Sequence, residues 1–403
     1  MSSGRELEQV VVVGAGVAGT RAAETLRTEG YDGALTIVGA ERHAPYHRPP
    51  LSKKLLSGRV ERAGVDLAPR LDVGARVLRE ASALGVDMRS CTVTVRDGDH
   101  DQELGFDGLV IATGAAARRW PHGPVPDGVF VLRTLDDCLQ IRQRLAAKPR
   151  VVVVGGGFIG AEVAATCRSL DLEVVLVEKA AAPMLPALGA EMAERYTDLH
   201  RRHGVDVRVN TSVEEFIGEG HIKAVRLTDG SHLNADVVII GLGVEPDTGW
   251  LEGSGLPLDN GVVCDATCAV DGAINVVAAG DVARWWHPLY EKHLRIEHWD
   301  HAERQAAAAA RNLLAEPGQR TPYNEVPYFW SDQYDVKLQM VGIPHDYDAL
   351  QFIEGDPDAW QFVAAYGRRG RTVAVVSTIP GRARNFRQAI AERAAFPPQA
   401  QSA

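Results

Sequence analysis

Two glycine-rich turns with the same spacing are the clearest chemical signal in this sequence of 403 residues. Each turn follows a run of four valines and precedes a stretch of helix-forming residues. In this arrangement the glycines allow a tight turn and close backbone approach, while the helix N-terminus offers N–H groups to a pyrophosphate. The sequence therefore predicts two dinucleotide-binding turns, formed by Gly14, Gly16, Ala18 and Gly19 in the first copy and by Gly155, Gly157, Ile159 and Gly160 in the second.

An acidic residue follows each turn at a distance close to the roughly 20 residues expected of a ribose-binding carboxylate. Glu178 ends the valine-rich strand of the second copy, where a carboxylate accepts hydrogen bonds from both ribose hydroxyls and repels a 2′-phosphate. The second site is therefore expected to prefer NADH to NADPH, although the adjacent Lys179 would soften that preference. In the first copy Glu41 is the candidate, with an exposed loop glutamate as the alternative reading.

The same order of elements surrounds both turns. Strand, helix and strand are predicted at 9–14, 17–29 and 34–39, and again at 150–155, 158–170 and 173–178. This internal repeat predicts a duplicated dinucleotide fold. Further apolar strands end at the carboxyl edge where α/β sheets bind ligands, and they place there Thr113 and Gly114, Gly243, and Gly280 and Asp281.

The chain is longer than the roughly 250–300 residues at which one hydrophobic core stops growing. The order of its strands indicates that the second dinucleotide unit is inserted within the first. From about Val326 the pattern changes to short alternating strands, which predicts a separate α+β domain. The predicted boundaries are 1–117 and 247–325 for the first, discontinuous domain, 118–246 for the second and 326–403 for the third.

Composition and charge narrow the function classes. Hydrophobic residues make up 45% and charged residues 24% of the chain, as in ordinary globular proteins. The net charge of −10, without a sustained basic stripe, argues against nucleic acid as a partner. No stretch approaches the roughly 18 apolar residues of a membrane span, and the start MSSGRELEQ lacks the apolar core of a signal peptide. Neither a membrane partner nor secretion is expected.

The cysteines and histidines show no pattern of a redox or metal site. The five cysteines are scattered and odd in number, which favours a cytoplasmic location. Cys264 and Cys268 are close in sequence but lie in a valine-rich stretch, so we expect them to pack as small hydrophobic residues. No metal site is expected, because the spacing of known ligand sets is absent among His287, His293, His298 and His301.

A proline-rich segment follows the first dinucleotide unit. Pro49 and Pro50 fix the backbone before a helix start, so this loop presents Arg48 and Lys53 at fixed positions. A lysine held near a flavin stabilises negative charge on the reduced ring. Lys53 is therefore a candidate for that role.

Besides the two turns, further segments form a pattern whose order and spacing are more specific than any single motif. They are Arg48-Pro-Pro-Leu-Ser-Lys53, Ala112-Thr-Gly114, Leu132-Arg133-Thr-Leu135, Gly156-Gly-Phe-Ile-Gly-Ala-Glu162, Ala279-Gly-Asp281, Glu297-His-Trp299 and Phe329-Trp330-Ser-Asp-Gln-Tyr334. With these segments the chain resembles, over nearly its whole length, the FAD-dependent NADH:ferredoxin reductases of bacterial oxygenase systems, the putidaredoxin reductase family. The resemblance implies a glutathione-reductase-like α/β fold with two Rossmann-like domains and a C-terminal α+β domain.

The resemblance also implies where the cofactors bind. It places FAD at the first turn and NADH at the second, and it pairs Lys53 beside the flavin with Glu162. It further implies FAD contacts for Asp281 with the ribityl chain, Arg133 near the phosphates, Trp299 near the isoalloxazine and the backbone of Ala83 at the adenine. The chain departs from the family pattern at two positions, since Ala40 replaces an acid that some relatives carry, which leaves Glu41 as the ribose ligand, and Asp247 stands where asparagine is common.

The expected reaction is hydride transfer from NADH to FAD, with electrons then leaving singly to a [2Fe-2S] ferredoxin that serves a cytochrome P450 or a dioxygenase. The ferredoxin is expected near Trp330. The candidate basic contacts are Arg59, Arg62, Lys292 and Arg304, although a merely solvated surface residue is the favoured interpretation of each.

Two alternatives stay open, the rubredoxin reductase and the apoptosis-inducing-factor type, whereas a disulfide reductase is not expected. A rubredoxin reductase would differ only in its acceptor. A flavin disulfide reductase would need a cysteine pair where this chain has Pro49-Pro-Leu-Ser52. A flavoprotein of the apoptosis-inducing-factor type, which responds to NADH by changing its partners, would be expected to carry a targeting segment and a basic DNA-binding face.

Overall fold

The computed structural model describes residues 7–398 and divides the chain into two compact units. As far as they are described, Met1–His47, Asp66–Ala116 and Glu245–Pro327 form the first unit. Arg48–Val65, Ala117–Val244 and Tyr328–Ala403 form the second. The outer ends of the predicted domains, 1–6 and 399–403, lie outside the described residues. Two short strands, Ala115–Ala117 and Val244–Pro246, carry the chain across unit boundaries.

The first unit is organised around a parallel five-stranded sheet. Its central strand holds the valine run, which is buried because both faces of such a sheet are covered. Arg21, on the helix after the first turn, is buried, and its Nε donates to Glu303 Oε1 at 2.9 Å. This bond joins that helix to the helix Trp299–Leu314, which lies much later in the sequence. In spatial order the strands are Val276–Ala278, Gly108–Ile111, Gln9–Val13, Ala34–Gly39 and Arg76–Arg79, and the two helices are Val17–Thr28 and Trp299–Leu314.

Two small sheets complete the first unit. One is an antiparallel meander of Ala81–Asp87, Thr92–Asp97 and His100–Gly105. The other joins Val262–Cys264, Ala283–His287 and Lys292–Leu294. Single 3₁₀ turns occur at Gly249–Leu251 and Pro317–Gln319.

The second unit repeats the parallel five-stranded sheet. The first helix has a capping box in which Thr134 and Asp137 satisfy each other's backbone N–H groups, as the sequence pattern favours. The strands run, in spatial order, Asp206–Arg208, Val174–Val177, Val151–Val154, Val237–Ile240 and Val129–Val131. The helices are Leu135–Leu145, Phe158–Ser169, Leu185–Leu188 and Ala190–Arg202, with 3₁₀ turns at Pro49–Ser52 and Arg62–Val65 and an antiparallel meander of Val213–Ile217, Ala224–Leu227 and His232–Asn234.

The C-terminal segment of the second unit is an antiparallel sheet. It packs on the helix Ala190–Arg202, where Met192 and Tyr196 share a core with Phe362 and Leu338 of the sheet. The Tyr366 hydroxyl donates to the Leu188 carbonyl oxygen at 2.8 Å. In spatial order the strands are Tyr328–Gln333, Val336–Gly342, Arg371–Ser377, Gln361–Arg368 and Ala349–Asp356, followed in sequence by short helical segments at Arg382–Phe386 and Arg387–Ala391.

These elements agree with the predicted order of strands and helices. The strands and helices predicted for the two repeats begin and end within one residue of the predicted bounds. The compact units assign residues 48–65 and 328–403 together with the second dinucleotide sheet. The three-domain boundaries stay a prediction. Within residues 7–398, no helix is both long and apolar enough to cross a membrane.

Candidate active site

The first glycine turn is shaped by close backbone packing. Gly14 donates to the Val38 carbonyl oxygen at 2.8 Å, and a Cβ on Gly14 would lie 2.1 Å from the Ala112 oxygen. A Cβ on Gly19 would lie 1.8 Å from the Gly14 oxygen, so the helix sits directly on the strand end. At Gly16 a Cβ would meet nothing within 4 Å, and no side chain caps this helix N-terminus. The open space and uncapped N–H groups fit a pyrophosphate.

The second turn has the same geometry. A Cβ on Gly155 would lie 2.4 Å from the Gly241 oxygen, and one on Gly160 would lie 1.9 Å from the Gly155 oxygen. A Cβ on Gly157 would meet nothing within 4 Å, and Gly157 is the N-cap residue of the helix Phe158–Ser169. No side chain bonds the N–H groups at this helix N-terminus. Ile159 is 48% exposed, so its side chain is accessible to a nucleotide bound at this turn. This turn therefore also fits a pyrophosphate.

Glu178 lies beside the second turn and bonds its backbone. Oε2 accepts from the Gly156 N–H at 2.6 Å, and Oε1 accepts from the Ala180 N–H at 2.7 Å. Each carboxylate oxygen has a further lone pair, so both can still accept from ribose hydroxyls. Lys179 is exposed, and Gly243 is exposed with φ +84° after the strand that neighbours the turn.

In the first unit, Glu41 is engaged by a residue that the sequence analysis did not single out. The Tyr46 hydroxyl, which is buried, donates to Glu41 Oε2 at 2.7 Å. This bond holds the side chain in place, although Glu41 follows the strand Ala34–Gly39 rather than ending it. The assignment of Glu41 to the ribose stays a prediction.

The strand-end residues of the first unit form two hydrogen-bonded turns. The Thr113 hydroxyl donates to the Asp247 carbonyl oxygen at 2.7 Å, and the Asp247 N–H donates to the Gly114 oxygen at 3.0 Å. Burial raises the pKa of the Asp247 carboxyl. Asp247, where the family commonly has asparagine, thus lies beside two of the predicted FAD contacts, Thr113 and Gly114.

The second of these turns contains Gly280 and Asp281. A Cβ on Gly280 would lie 3.1 Å from the Ala18 Cβ, so this turn lies against the start of the helix after the first glycine turn. The Gly280 N–H donates to the Oε1 of Gln305, a buried residue of the helix Trp299–Leu314, at 2.8 Å. Gln305 therefore fixes the turn that presents Asp281.

The remaining predicted FAD residues of the first unit are Trp299 and Ala83. Trp299 begins the long helix, and its ring centroid lies 5.3 Å from that of His47. Ala83 lies in the strand Ala81–Asp87. The structure brings no other predicted site residue into a described contact with Ala83, so its role stays a prediction.

In the second unit, Arg48 and Arg133 lie together. The Arg48 Nη1 donates to the Arg133 carbonyl oxygen at 2.6 Å, and the Arg133 N–H donates to Asp137 at 3.0 Å. The proline-rich loop is therefore tied to the start of the helix Leu135–Leu145. Both arginines were predicted from separate sequence segments.

Lys53 and Glu162 form a buried ion pair in the same unit. Lys53 Nζ lies 2.8 Å from Glu162 Oε2, and the Glu162 side chain is 3% exposed. The same oxygen accepts from the Ser52 hydroxyl at 2.5 Å, while Oε1 accepts from the Ser331 hydroxyl at 2.7 Å. We call Ser52, Lys53, Glu162 and Ser331 the Glu162 network. It gives a buried carboxylate three donors and fixes the lysine charge beside it.

Ser331 and Ser52 carry no spacing signal that sequence reasoning could have used. Ser331 is 169 residues from Glu162 along the chain, and Ser52 is 110 residues away. Both lie in segments that the family resemblance marked, but the resemblance assigned them no role. Gln305 and Tyr46 were missed for the same reason.

The cysteines are packed as the sequence predicted. Cys264 and Cys268 are fully buried, and burial raises the pKa of both thiols. Cys138 donates to the Leu51 carbonyl oxygen at 3.2 Å beside the proline-rich loop, and burial raises its pKa to about 12. A thiol with such a pKa is protonated and unreactive at neutral pH. No described cysteine is disulfide-bonded.

Two histidines of the first unit, His287 and His301, lie in an aromatic cluster with Trp285 and Tyr323. Burial lowers the pKa of His301 to about 3, and its ring is stacked on Trp285 with centroids 4.6 Å apart. Burial also lowers the pKa of His298 to about 4. His287 accepts from the Leu289 N–H through Nδ1, so its Nε2 carries the proton toward the Glu325 carbonyl oxygen. Among residues 7–398 no group of side chains is arranged to hold a metal ion.

Two family profiles match this chain. The profile of the pyridine nucleotide-disulphide oxidoreductases covers residues 8–306, and a reductase C-terminal profile covers residues 328–403. The chain belongs to the pyridine nucleotide-disulphide oxidoreductase family. The family assigned from the sequence motifs and the predicted fold class are thereby confirmed.

Individual relatives narrow the class of reductase. The ferredoxin–NAD(+) reductase component of the anthranilate 1,2-dioxygenase system of Burkholderia cepacia is 38% identical over 92% of this chain and 91% of its own. Putidaredoxin reductase of Pseudomonas putida is 35% identical over 91% of this chain and 88% of its own. The crystal structure of the covalent putidaredoxin reductase–putidaredoxin complex matches with a TM-score of 0.90 and 33% identity, over 96% of this chain and 93% of that one.

Proposed function

We propose that this protein passes electrons from NADH through FAD to a [2Fe-2S] ferredoxin of a cytochrome P450 or dioxygenase system. The observation that carries this proposal is the pair of uncapped glycine turns in a chain whose full-length relatives are ferredoxin reductases of such systems. One dinucleotide site would serve the electron donor and the other the electron carrier. Bound FAD supplies the ring that accepts a hydride and then releases electrons singly.

The first turn and its neighbours hold FAD. Backbone N–H groups at Gly16 bind the pyrophosphate, and the carboxylate of Glu41 binds the adenosine ribose. Asp281 accepts from the ribityl hydroxyls, held in place by the bond between Gly280 and Gln305. The other FAD contacts that we propose are Gly14, Ala18, Gly19, Arg48, Lys53, Ala83, Thr113, Gly114, Arg133 and Trp299.

The second turn holds NADH. Backbone N–H groups at Gly157 bind the pyrophosphate, and Glu178 binds the ribose hydroxyls with the lone pairs that Gly156 and Ala180 leave open. Ile159 covers the nucleotide with its exposed side chain. The other NADH contacts that we propose are Gly155, Gly160 and Gly243.

Lys53 supplies a fixed positive charge for the reduced flavin. Its ammonium group is held by Glu162, whose carboxylate is in turn fixed by two serine hydroxyls. A charge that is already oriented stabilises developing negative charge without reorganisation, which is the main electrostatic contribution a protein makes to such a step. No side chain needs to act as a nucleophile or to move a proton for hydride transfer.

We also propose the three-domain division at 1–117 with 247–325, 118–246 and 326–403, and a cytoplasmic location. The location is supported by the five scattered cysteines, which are free thiols in a reducing compartment. The cysteine pair of a disulfide reductase has no counterpart in the 3₁₀ turn Pro49–Ser52.

An anaerobic titration tests the proposed function. The purified protein should carry FAD, and about one equivalent of NADH should bleach its visible absorbance, as expected for a two-electron transfer. Added oxidised [2Fe-2S] ferredoxin should then restore the absorbance. Rubredoxin in place of the ferredoxin serves as the comparison. Restoration by rubredoxin alone would assign the chain to a rubredoxin reductase instead.

A further inference from the structure

Ser331 makes a buried contact with the Glu162 carboxylate in the second unit. It lies in the strand Tyr328–Gln333 and is 1% exposed. Its hydroxyl lies 2.7 Å from Glu162 Oε1. The Lys53 ammonium group lies 2.8 Å from the other carboxylate oxygen, Oε2. A buried carboxylate such as that of Glu162 needs hydrogen-bond donors. The strand Tyr328–Gln333 of the C-terminal sheet supplies one of them, the Ser331 hydroxyl.

The direction of this hydrogen bond is set by a second one. The Gln333 side-chain amide nitrogen, also buried, donates to the Ser331 oxygen at 3.2 Å. An amide nitrogen cannot accept, so the single hydroxyl proton of Ser331 is available to Glu162. Because the Glu162 carboxylate is ion-paired with Lys53 and accepts hydrogen bonds only, Ser331 donates to it rather than accepting from it.

Both carboxylate oxygens of Glu162 are then anchored from different elements. Ser52, in the turn Pro49–Ser52, donates to Oε2, and Ser331 donates to Oε1. A carboxylate that is bonded at both oxygens has one orientation, and that orientation determines where the Lys53 ammonium lies. Loss of either anchor would leave the carboxylate free to rotate about its last bond.

We propose that Ser331 is a positioning residue for the Lys53–Glu162 pair. It acts through Glu162 and so places the lysine charge that serves the reduced flavin. This inference rests on the role proposed above for Lys53. It makes a hydroxyl donor, rather than simple packing, the requirement at position 331.

Ser331→Ala tests the proposal by stopped-flow reduction of the flavin with NADH. We expect the limiting rate to fall about tenfold, the low end for the loss of one hydrogen bond to a charged group, while the NADH concentration at half-saturation and the FAD content stay unchanged. Ser331→Thr, which keeps the hydroxyl and suits a strand, should restore the rate. Ser377→Ala is the matched control, because Ser377 is buried in the same sheet and bonds the backbone of Ile379.

A second readout does not depend on turnover. Pulse acylation of lysine amines, followed by peptide mass spectrometry, should modify Lys53 at least about twofold faster in Ser331→Ala than in the unchanged protein, since a weaker anchor frees the ammonium group. The exposed Lys54 is the internal reference. If Ser331→Ala does not fold, Ser331→Cys, with its weaker donor, replaces it with the same expected direction.

The outcomes separate this inference from the proposed function. An unchanged reduction rate in Lys53→Met would contradict the role proposed for Lys53 in flavin reduction. The rate of Lys53 acylation would still show whether Ser331 positions the lysine. If Ser331→Ala matches Ser377→Ala in both the reduction rate and the Lys53 labelling rate, the inference is overturned. A loss of rate that Ser331→Thr does not restore would also overturn it.

Discussion

Replacing Glu178 by glutamine should weaken the discrimination between NADH and NADPH. The carboxylate is bonded at both oxygens, to the N–H groups of Gly156 and Ala180 at 2.6 and 2.7 Å. Glutamine has one oxygen and one NH₂ group, so it can accept from one of these N–H groups and must face the other with a donor. The substitution therefore removes a charge and also loosens the backbone at the second turn.

The size of the effect follows from these two changes. A carboxylate about 4 Å from a single phosphate charge costs roughly 1 kcal/mol in water and about 4 kcal/mol near a protein surface. For the half-buried Glu178 we take about 1.4 kcal/mol, which is tenfold in kcat/KM. The unchanged protein should prefer NADH at least about tenfold, and the variant should approach equal use. The unpaired N–H should also lower kcat/KM for NADH about tenfold, since a lost hydrogen bond to a charged acceptor is worth roughly 1.5–3 kcal/mol.

Steady-state reduction of ferricyanide measures both effects without a ferredoxin. The ratio of kcat/KM for NADH to that for NADPH is compared between the unchanged protein, Glu178→Gln and Glu173→Gln. Glu173 is exposed and immediately precedes the same strand, so its variant should keep the original ratio. Equal use of both cofactors by the unchanged protein, or the same ratio in Glu178→Gln as in Glu173→Gln, would refute the reasoning.

Three further predictions follow from the described geometry. Lys53→Met should slow flavin reduction in stopped flow. It should also lower the free energy of unfolding by about 3 kcal/mol, because the buried Glu162 carboxylate loses its counter-charge. Lys54→Met, at an exposed position, should change neither quantity. Gly16→Ala should fold but lose FAD content, and Gly157→Ala should keep FAD but raise KM for NADH, since each methyl group enters open space at its own turn; loss of FAD from both would contradict this. Because burial lowers the pKa of His301 to about 3, its own contribution to stability should be full above about pH 6.5 and fall as the pH drops toward 3, by about 2 kcal/mol at pH 5. In urea unfolding the variant His301→Phe should therefore lose less stability between pH 7 and pH 5 than the unchanged protein, and an equal loss would count against the buried neutral ring.

The sequence predicted the two parallel sheets because their signals are local. Four valines, a glycine turn and a helix occur within about 20 residues in each copy, and packing had only to bring neighbouring strands together. The turns are glycine for a reason that the structure makes explicit, namely the approach of Gly14 to the Ala112 oxygen. The burial of Cys264 and Cys268 was likewise predicted from their apolar neighbours, and it is confirmed.

The rest of the site depends on contacts that no sequence spacing encodes. The pairing of Lys53 with Glu162 came from the family resemblance alone, and the serine anchors of Glu162 come from segments far apart in the chain. The bond between Gln305 and Gly280 similarly joins a helix to a turn through tertiary packing. A hydroxyl or an amide of this kind has no local pattern, because many serines and glutamines are simply solvated.

Reduction of cytochrome c by NADH, with and without an added [2Fe-2S] ferredoxin, measures whether a ferredoxin carries the electrons from this flavoprotein. The rate should be slow with the reductase alone and should rise in proportion to the ferredoxin concentration until it saturates. A rate that is independent of ferredoxin, together with a long-lived NADH complex that alters partner binding, would contradict this expectation and favour a flavoprotein of the apoptosis-inducing-factor type.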